Sequence, residues 1–213
     1  MTRIIIFAKA PLPGFAKTRL IPALGAAGAA ELAQQMLFNT LHEAIAAEIG
    51  TVELCVTPSI NHPSWHLSWR GNQFPAGIEI SEQGEGDLGA RLALASERAL
   101  ANAERVLLIG TDCVEMSGGL LREAALALQE HDAVIHCTAD GGYALLGLRQ
   151  YSPCLFSDMP WSTDAVAGIT IARIGQLGLS LHVGQMLHDV DEPQDLKYLS
   201  RTSRNQKMWV DKR

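Results

Sequence analysis

The chain reads as a single α/β domain: a mainly parallel sheet with helices on both faces. Three observations carry that reading. Short β-branched runs, residues 2–8 (TRIIIFA) and 105–110 (RVLLIG), are apolar nearly throughout, as strands covered on both faces are. Longer stretches with apolar residues at helical spacing alternate with such runs, the pattern of strand–helix–strand units. The 213 residues, 47% hydrophobic and 19% charged, suit one globular domain with room for a core and a cleft.

In order, residues 2–8 form the first buried strand. Residues 26–49 place Leu32, Met36, Leu37, Leu41, Ala44 and Ile45 at helical spacing and predict a long amphipathic helix. Residues 52–57 are strand-like, residues 77–81 less markedly so, and residues 88–103 predict an alanine-rich helix. The strand at 105–110 is the clearest in the chain. A helix over 119–130 precedes strands at 132–137 and 143–148, set around a glycine turn. Thr163 is placed to cap a helix reaching about residue 177, and Pro193 to open a last one. Residues 58–75 are a long irregular segment holding Trp65 and Trp69, read either as an aromatic cluster packed under a loop or as a lid over an acceptor.

Charge and composition narrow the partners. The net charge of −6 argues against a nucleic-acid backbone as ligand, because such binders carry basic patches. The basic residues near the end, Arg201, Arg204, Lys207, Lys212 and Arg213, read as a solvated tail at 201–213 following a domain at 1–200. No apolar run has the length of a signal-peptide core or a membrane span, and the four dispersed cysteines read as free thiols. The expectation is a cytoplasmic protein without membrane or nucleic-acid partners.

In sheets of this kind ligands bind beyond the carboxyl ends of the strands. The loops to inspect therefore follow Ala8, Ser81, Gly110, Cys137 and Val183. In residues 7–20 (FAKAPLPGFAKTRL), Ala8 and Lys9 end a strand, Gly14 turns the chain, and Lys17, Thr18 and Arg19 project beyond it. That arrangement suits a di- or triphosphate. It is not a Walker A loop, since Ala16 precedes Lys17 where that motif needs glycine.

Thr111 and Asp112 follow the strongest strand, where a carboxylate suits Mg²⁺ or Mn²⁺ bridging phosphate oxygens; the alternative is that Asp112 caps a turn. Cys113 reads as a packed thiol. In residues 188–196 (HDVDEPQDL), Asp189 and Asp191 alternate on an extended segment, so either can complete a metal shell, unless Asp191 caps the last helix. His188 reads as a surface residue. Asp140, ahead of Gly141 and Gly142, is a candidate general base, and the glycines either admit a ligand or turn a hairpin. Residues 83–91 (QGEGDLGAR) feed a helix from a glycine loop, with Gln83, Gly84 and Gly86 placed to read a nucleobase edge.

Together and in this order, these segments resemble the bacterial glycosyltransferase-A-like family of radical-SAM and arsenosugar-type gene neighbourhoods. That family is similar to the molybdopterin-cofactor and phospholactate guanylyltransferases. Its pattern F-A-K-x-P-x-P-G-x-x-K-T-R-L is matched at 7–20, Q-G-x-G-D-L-G-x-R at 83–91 and G-T-D-C at 110–113. D-G-G-Y follows at 140–143, W-S-T at 161–163 and D-V-D-x-P-x-D-L at 189–196.

The resemblance implies a Rossmann-like glycosyltransferase-A fold, with nucleotide phosphates on Lys17 and Arg19 and the base against residues 83–86. It also implies a divalent metal at Asp112, with Asp191 beside it. Val114, residues 137–139 and Ala144 depart from the family pattern, the last two on the acceptor side. The implied activity is a metal-dependent transferase: glycosyl transfer from a nucleotide-diphosphate sugar to a small-molecule acceptor. The alternative is nucleotidyl transfer from a nucleoside triphosphate to a phosphorylated acceptor. Lys17, Arg19, Asp112 and Asp140 are its expected catalytic residues.

Overall fold

A computed structural model describes residues 1–65 and 74–201. Trp69 and the tail from residue 202 onward lie outside the described residues. Seven strands form one sheet: β1 (Thr2–Lys9), β2 (Gly50–Thr57), β3 (Glu79–Glu82), β4 (Arg105–Ile109), β5 (Ala133–Cys137), β6 (Tyr143–Leu148) and β7 (Leu181–Val183). Their order is β3-β2-β1-β4-β6-β5-β7, and every neighbouring pair is parallel except the two that involve β6. The turn between β5 and β6 is too short for a crossover, so β6 must run back antiparallel and wedges between β4 and β5. The expected α/β fold with a mainly parallel sheet is present.

Helices α1 (Ile21–Ala46), α2 (Leu88–Leu100), α3 (Gly118–Glu130) and α4 (Val166–Gln176) cover the sheet. Alternate residues of β1 point to opposite faces. Ile4 and Ile6 pack with Leu37 and Leu41 of α1 and Leu121 and Leu128 of α3. Ile5 packs on the other side with Leu92 and Ala99 of α2 and Ile174 of α4. Both faces of the central strands are thus dry, which explains their unbroken apolar runs. The buried Glu53 of β2 is compensated by ion pairs to Arg3, at 2.9 Å, and to Arg98.

Three details depart from the sequence expectations. Helix α1 starts at Ile21, not near residue 26, because Pro22 is tolerated in a first turn; Gly25, in a left-handed conformation, then breaks the helix and restarts it. Thr163 does not cap α4, whose N-cap is Ala165; its hydroxyl donates to the Pro160 carbonyl at 2.8 Å. The segment opened by Pro193 is a 3₁₀ helix, Pro193–Arg201, and Asp195 caps it by accepting from the amides of Asp191 and Glu192. The Asp191 carboxylate is thereby released for other contacts. Asp87 and Ser117 cap α2 and α3 in the ordinary way, accepting from Ala90 and Leu120.

Trp65 is only 2% exposed, packs near Phe74 and donates its indole N–H to the Pro58 carbonyl at 2.9 Å. It is a core residue, and the lid reading of this side chain is corrected: a ring so enclosed has no face to offer an acceptor. All four cysteines are free. Among the described residues no helix is long and apolar enough to cross a membrane.

Candidate functional site

A cleft of about 830 Å³ opens across the carboxyl ends of the strands. Its floor is assembled from three chain segments. The loop after β1 supplies Lys17, which takes a left-handed conformation and starts a short 3₁₀ turn, Thr18–Leu20. The loop after β4 supplies Asp112. The segment after β7 supplies Asp189 and Asp191, laid beside the Asp112 loop: the Val190 amide donates to the Asp112 carbonyl at 2.9 Å, and Cys113 bridges to Asp189.

The Lys17 ammonium, its side chain 6% exposed, joins Asp112 and Asp191 by an ion pair to each, the second at 2.7 Å. Burial pushes the Lys17 pKa down, but the two carboxylates more than offset it and the net shift is upward. Asp189 has no such partner among the described residues. Its burial, compounded by the charges of Asp112, Asp191 and Asp140 and opposed by Lys17, pushes its carboxyl up to about 8. The floor thus holds more negative charge than its one ammonium neutralises.

The amides of Thr18 and Arg19 donate to no group among the described residues, so the turn presents free N–H groups beside the Lys17 ammonium. Lys9 and Arg19 are exposed at the cleft. Ala8, Lys9, Lys17, Arg19, Thr111, Asp112, Asp140 and Asp191 line one cavity, as do Gln83 and Arg91. Gly14, Gly84 and Gly86 do not reach it; they shape the loops behind.

Two of the expected site residues make contacts that the sequence did not indicate. Gln83 is buried, and its amide nitrogen donates to the carbonyls of Ala8 (3.2 Å) and Cys55 (3.1 Å), tying β1 to β2. Its carbonyl oxygen accepts from Arg91 at 3.3 Å. Both amide hydrogens are occupied, so Gln83 braces the site and has none left for a base edge. Asp140 uses Oδ1 to accept from the Thr138 hydroxyl (2.5 Å) and the Gly142 amide (3.1 Å), the geometry of a turn.

His188 is tied to Glu115, at 3.1 Å, and stacked on Tyr198, away from ligand duty. Cys113 is buried and its thiol is pushed up to about 12, chiefly by that burial, so it stays protonated and is no nucleophile.

Arg91, Tyr143 and Trp161, which the sequence offered as motif positions without a site role, and Asp164, which it did not offer at all, line the cleft. Arg91 anchors the glycine loop by donating Nε–H to the Gly86 carbonyl at 3.0 Å. The signal available was position: Arg91 lies within the first turn of α2, one turn after the glycine loop.

The donor set suits a hard cation only in part. Among the described residues no group of three or more His, Cys, Asp or Glu side chains stands ready to enclose a metal. Yet Asp112 and Asp191 hold a cation between them, and Mg²⁺ ordinarily uses one or two carboxylates together with water and substrate phosphates. Two oxygen ligands of this kind fit Mg²⁺ or Mn²⁺ bound jointly with a nucleotide.

Comparison with known proteins agrees with this architecture. Residues 40–163 match the family described as an uncharacterized protein conserved in bacteria, DUF2064. A protein of Desulfovibrio desulfuricans G20, provisionally named a nucleotide-diphospho-sugar transferase, is 30% identical, with 96% of this chain and 88% of that one covered and a TM-score of 0.85. CMP:2-keto-3-deoxy-manno-octonic acid synthetase, solved with CTP, shares the fold at 12% identity, with 99% of each chain covered and a TM-score of 0.59. Rv0371c of Mycobacterium tuberculosis H37Rv, solved with manganese, does so at 16% identity, with 94% and 98% covered and a TM-score of 0.56. No curated protein matches the chain. The fold is nucleotide-diphospho-sugar transferase-like.

Proposed function

We propose, from the premise that the chain belongs to the bacterial DUF2064 family, that it transfers a glycosyl group from a nucleotide-diphosphate sugar to a small acceptor. The observation that carries the reading is the Lys17 ammonium between Asp112 and Asp191, beside a turn with free amides at the carboxyl ends of β1 and β4. A diphosphate set there receives charge-assisted hydrogen bonds from Lys17 and Arg19 and amide donors from Thr18 and Arg19. These groups are fixed before the donor arrives, and they oppose the charge that grows on the diphosphate as it departs. Phe15 and Leu88, apolar and exposed on the cleft, offer an edge for the base. Asp112 and Asp191 would hold Mg²⁺ or Mn²⁺ with the diphosphate; when bound, such an ion neutralises leaving-group charge. The name of the Desulfovibrio relative supports the same reading.

A second reading, nucleotidyl transfer with release of pyrophosphate, draws on the excess of cations at the donor side. Lys9 and Arg19 stand in the cleft beyond the Lys17 pair, enough positive charge for a third phosphate.

One experiment separates the two. Wild-type protein is incubated with nucleotide-diphosphate sugars and with nucleoside triphosphates, each with Mg²⁺ or Mn²⁺ and a panel of acceptors. The expected product is nucleoside diphosphate, formed slowly even without acceptor as water enters the cleft. Asp112→Asn should abolish it. Pyrophosphate release without any diphosphate would establish the second reading instead.

A further inference from the structure

The cleft is electrically divided. Its basic side chains, Lys9, Lys17, Arg19 and Arg91, come from the end of β1, the loop after it and α2. A second part of the lining, made by the β5–β6 turn and residues 161–164, contributes Asp140 and Asp164 and no lysine or arginine. Asp164 is exposed, and its carboxylate has no hydrogen bond or ion pair among the described residues. Asp140 binds its turn through Oδ1 alone, which leaves Oδ2 for a ligand.

The same wall holds two stranded donors. The Tyr143 hydroxyl and the Trp161 indole N–H are buried and find no partner among the described residues, although both side chains line the cleft. Most buried polar groups are paired, so donors left over beside a cavity point to a ligand oxygen.

The wall is held in place by two close approaches. Gly141 has φ +91°, and a Cβ there would lie 2.1 Å from the Asp164 carbonyl oxygen. A Cβ on Gly89, in the first turn of α2, would lie 2.9 Å from the Trp161 indole nitrogen. Only glycine at both positions lets residues 161–164 seat between the hairpin turn and α2, with Ser162 itself in a left-handed conformation at φ 65°.

We propose that this wall is the acceptor subsite, and that the acceptor is a neutral or amine-bearing polyol without phosphate or carboxylate. The inference rests on the glycosyl-transfer reading. A hydroxyl group donates to a carboxylate and accepts from an O–H or N–H, so the several hydroxyls of a polyol match both the carboxylates of Asp140 and Asp164 and the unpaired Tyr143 hydroxyl. An anionic group accepts only, and would meet two carboxylates on a part of the lining that contributes no lysine or arginine. In the transfer, the acceptor oxygen bonds to the anomeric carbon. The bond from that carbon to the diphosphate oxygen breaks with its electron pair on the leaving nucleoside diphosphate. The hydroxyl proton passes to Asp140 Oδ2.

The test uses wild-type protein and acceptor pairs that differ by one phosphate: glucose and glucose 6-phosphate, glucosamine and its 6-phosphate, glycerol and glycerol 3-phosphate. Nucleotide binding is measured first, by thermal shift; its absence would sink the proposed function itself. With binding present, the unphosphorylated member should have the higher kcat/KM by about tenfold or more, since like charges face each other otherwise. Asp164→Lys should shrink or invert that ratio, mainly through the acceptor KM. Asp164→Asn, nearly isosteric, guards against misfolding and should move the ratio the same way by a smaller factor. Better use of the phosphorylated members, or a ratio untouched by both variants, overturns the acceptor inference while leaving nucleotide binding standing.

Discussion

Lys17→Met removes one charge from the cleft floor and keeps nearly all of the side chain's bulk. The ammonium is almost enclosed, while Asp112 and Asp191 remain 49% and 41% exposed. Breaking a fully buried ion pair costs about 3–5 kcal/mol, because the abandoned charge is stranded. Here water reaches both carboxylates and screens them, so the loss should be nearer the exposed limit, about 1–2 kcal/mol. For a domain of this size each kcal/mol corresponds to roughly 2–4 °C, so Tm should fall by about 2–8 °C in metal-free buffer at low salt.

The space vacated between Asp112 and Asp191 also becomes available to another cation. Mn²⁺ or Mg²⁺ should therefore raise the Tm of the variant by more than that of the wild type. Affinity for the best nucleoside diphosphate should drop roughly ten- to hundredfold through the lost charge-assisted hydrogen bond. Scanning fluorimetry and titration calorimetry measure all three. An unchanged Tm together with unchanged nucleotide affinity would refute the role given to this ammonium.

Three further perturbations follow from the packing and the charges. The Asp189 carboxyl, raised by burial and its acidic neighbours to about 8, stabilises the fold below its unfolded value of 3.8 and loses that contribution as pH rises through about 8. Asp189→Asn should accordingly flatten the fall in apo-protein Tm over that window, and an unaltered profile would contradict the assignment. Trp65→Ala should lower stability by about 3–5 kcal/mol while the folded fraction keeps its nucleotide affinity; a raised acceptor KM with no loss of stability would restore the lid reading. Gly141→Ala should destabilise by about 1–3 kcal/mol or more and depress transfer, because the backbone is left-handed and the new methyl meets the Asp164 carbonyl. The control is Gly168→Ala in α4, where a Cβ meets nothing within 4 Å; it should be neutral or stabilising by up to about 1 kcal/mol.

The strands and helices were legible in the chain because their causes are local. Ile4, Ile5 and Ile6 are all apolar since β1 is covered on both faces, and Leu37 and Leu41 recur at helical spacing since α1 presents one stripe to the sheet. The position of Asp112 was legible for the same reason: it follows the last residue of a buried strand by three positions, and such loops border the cleft.

What the sequence could not specify is whatever depends on strand order. The short turn makes β6 antiparallel to β5, but that β6 and not β5 lies next to β4 is a property of the whole sheet. Lys17 meets Asp191 across 174 positions of chain, and no spacing rule links them. For Asp191 sequence reasoning weighed helix capping against metal binding; Asp195 takes the capping bonds, and the Asp191 carboxylate pairs with the Lys17 ammonium instead. Gln83 looked like a reader of bases until the sheet brought the carbonyls of Ala8 and Cys55 to its amide. Local pattern sets which residues stand at the ends of strands; only tertiary packing decides which partners their polar atoms find, because a buried hydrogen-bonding group binds whatever the fold sets within about 3 Å of it.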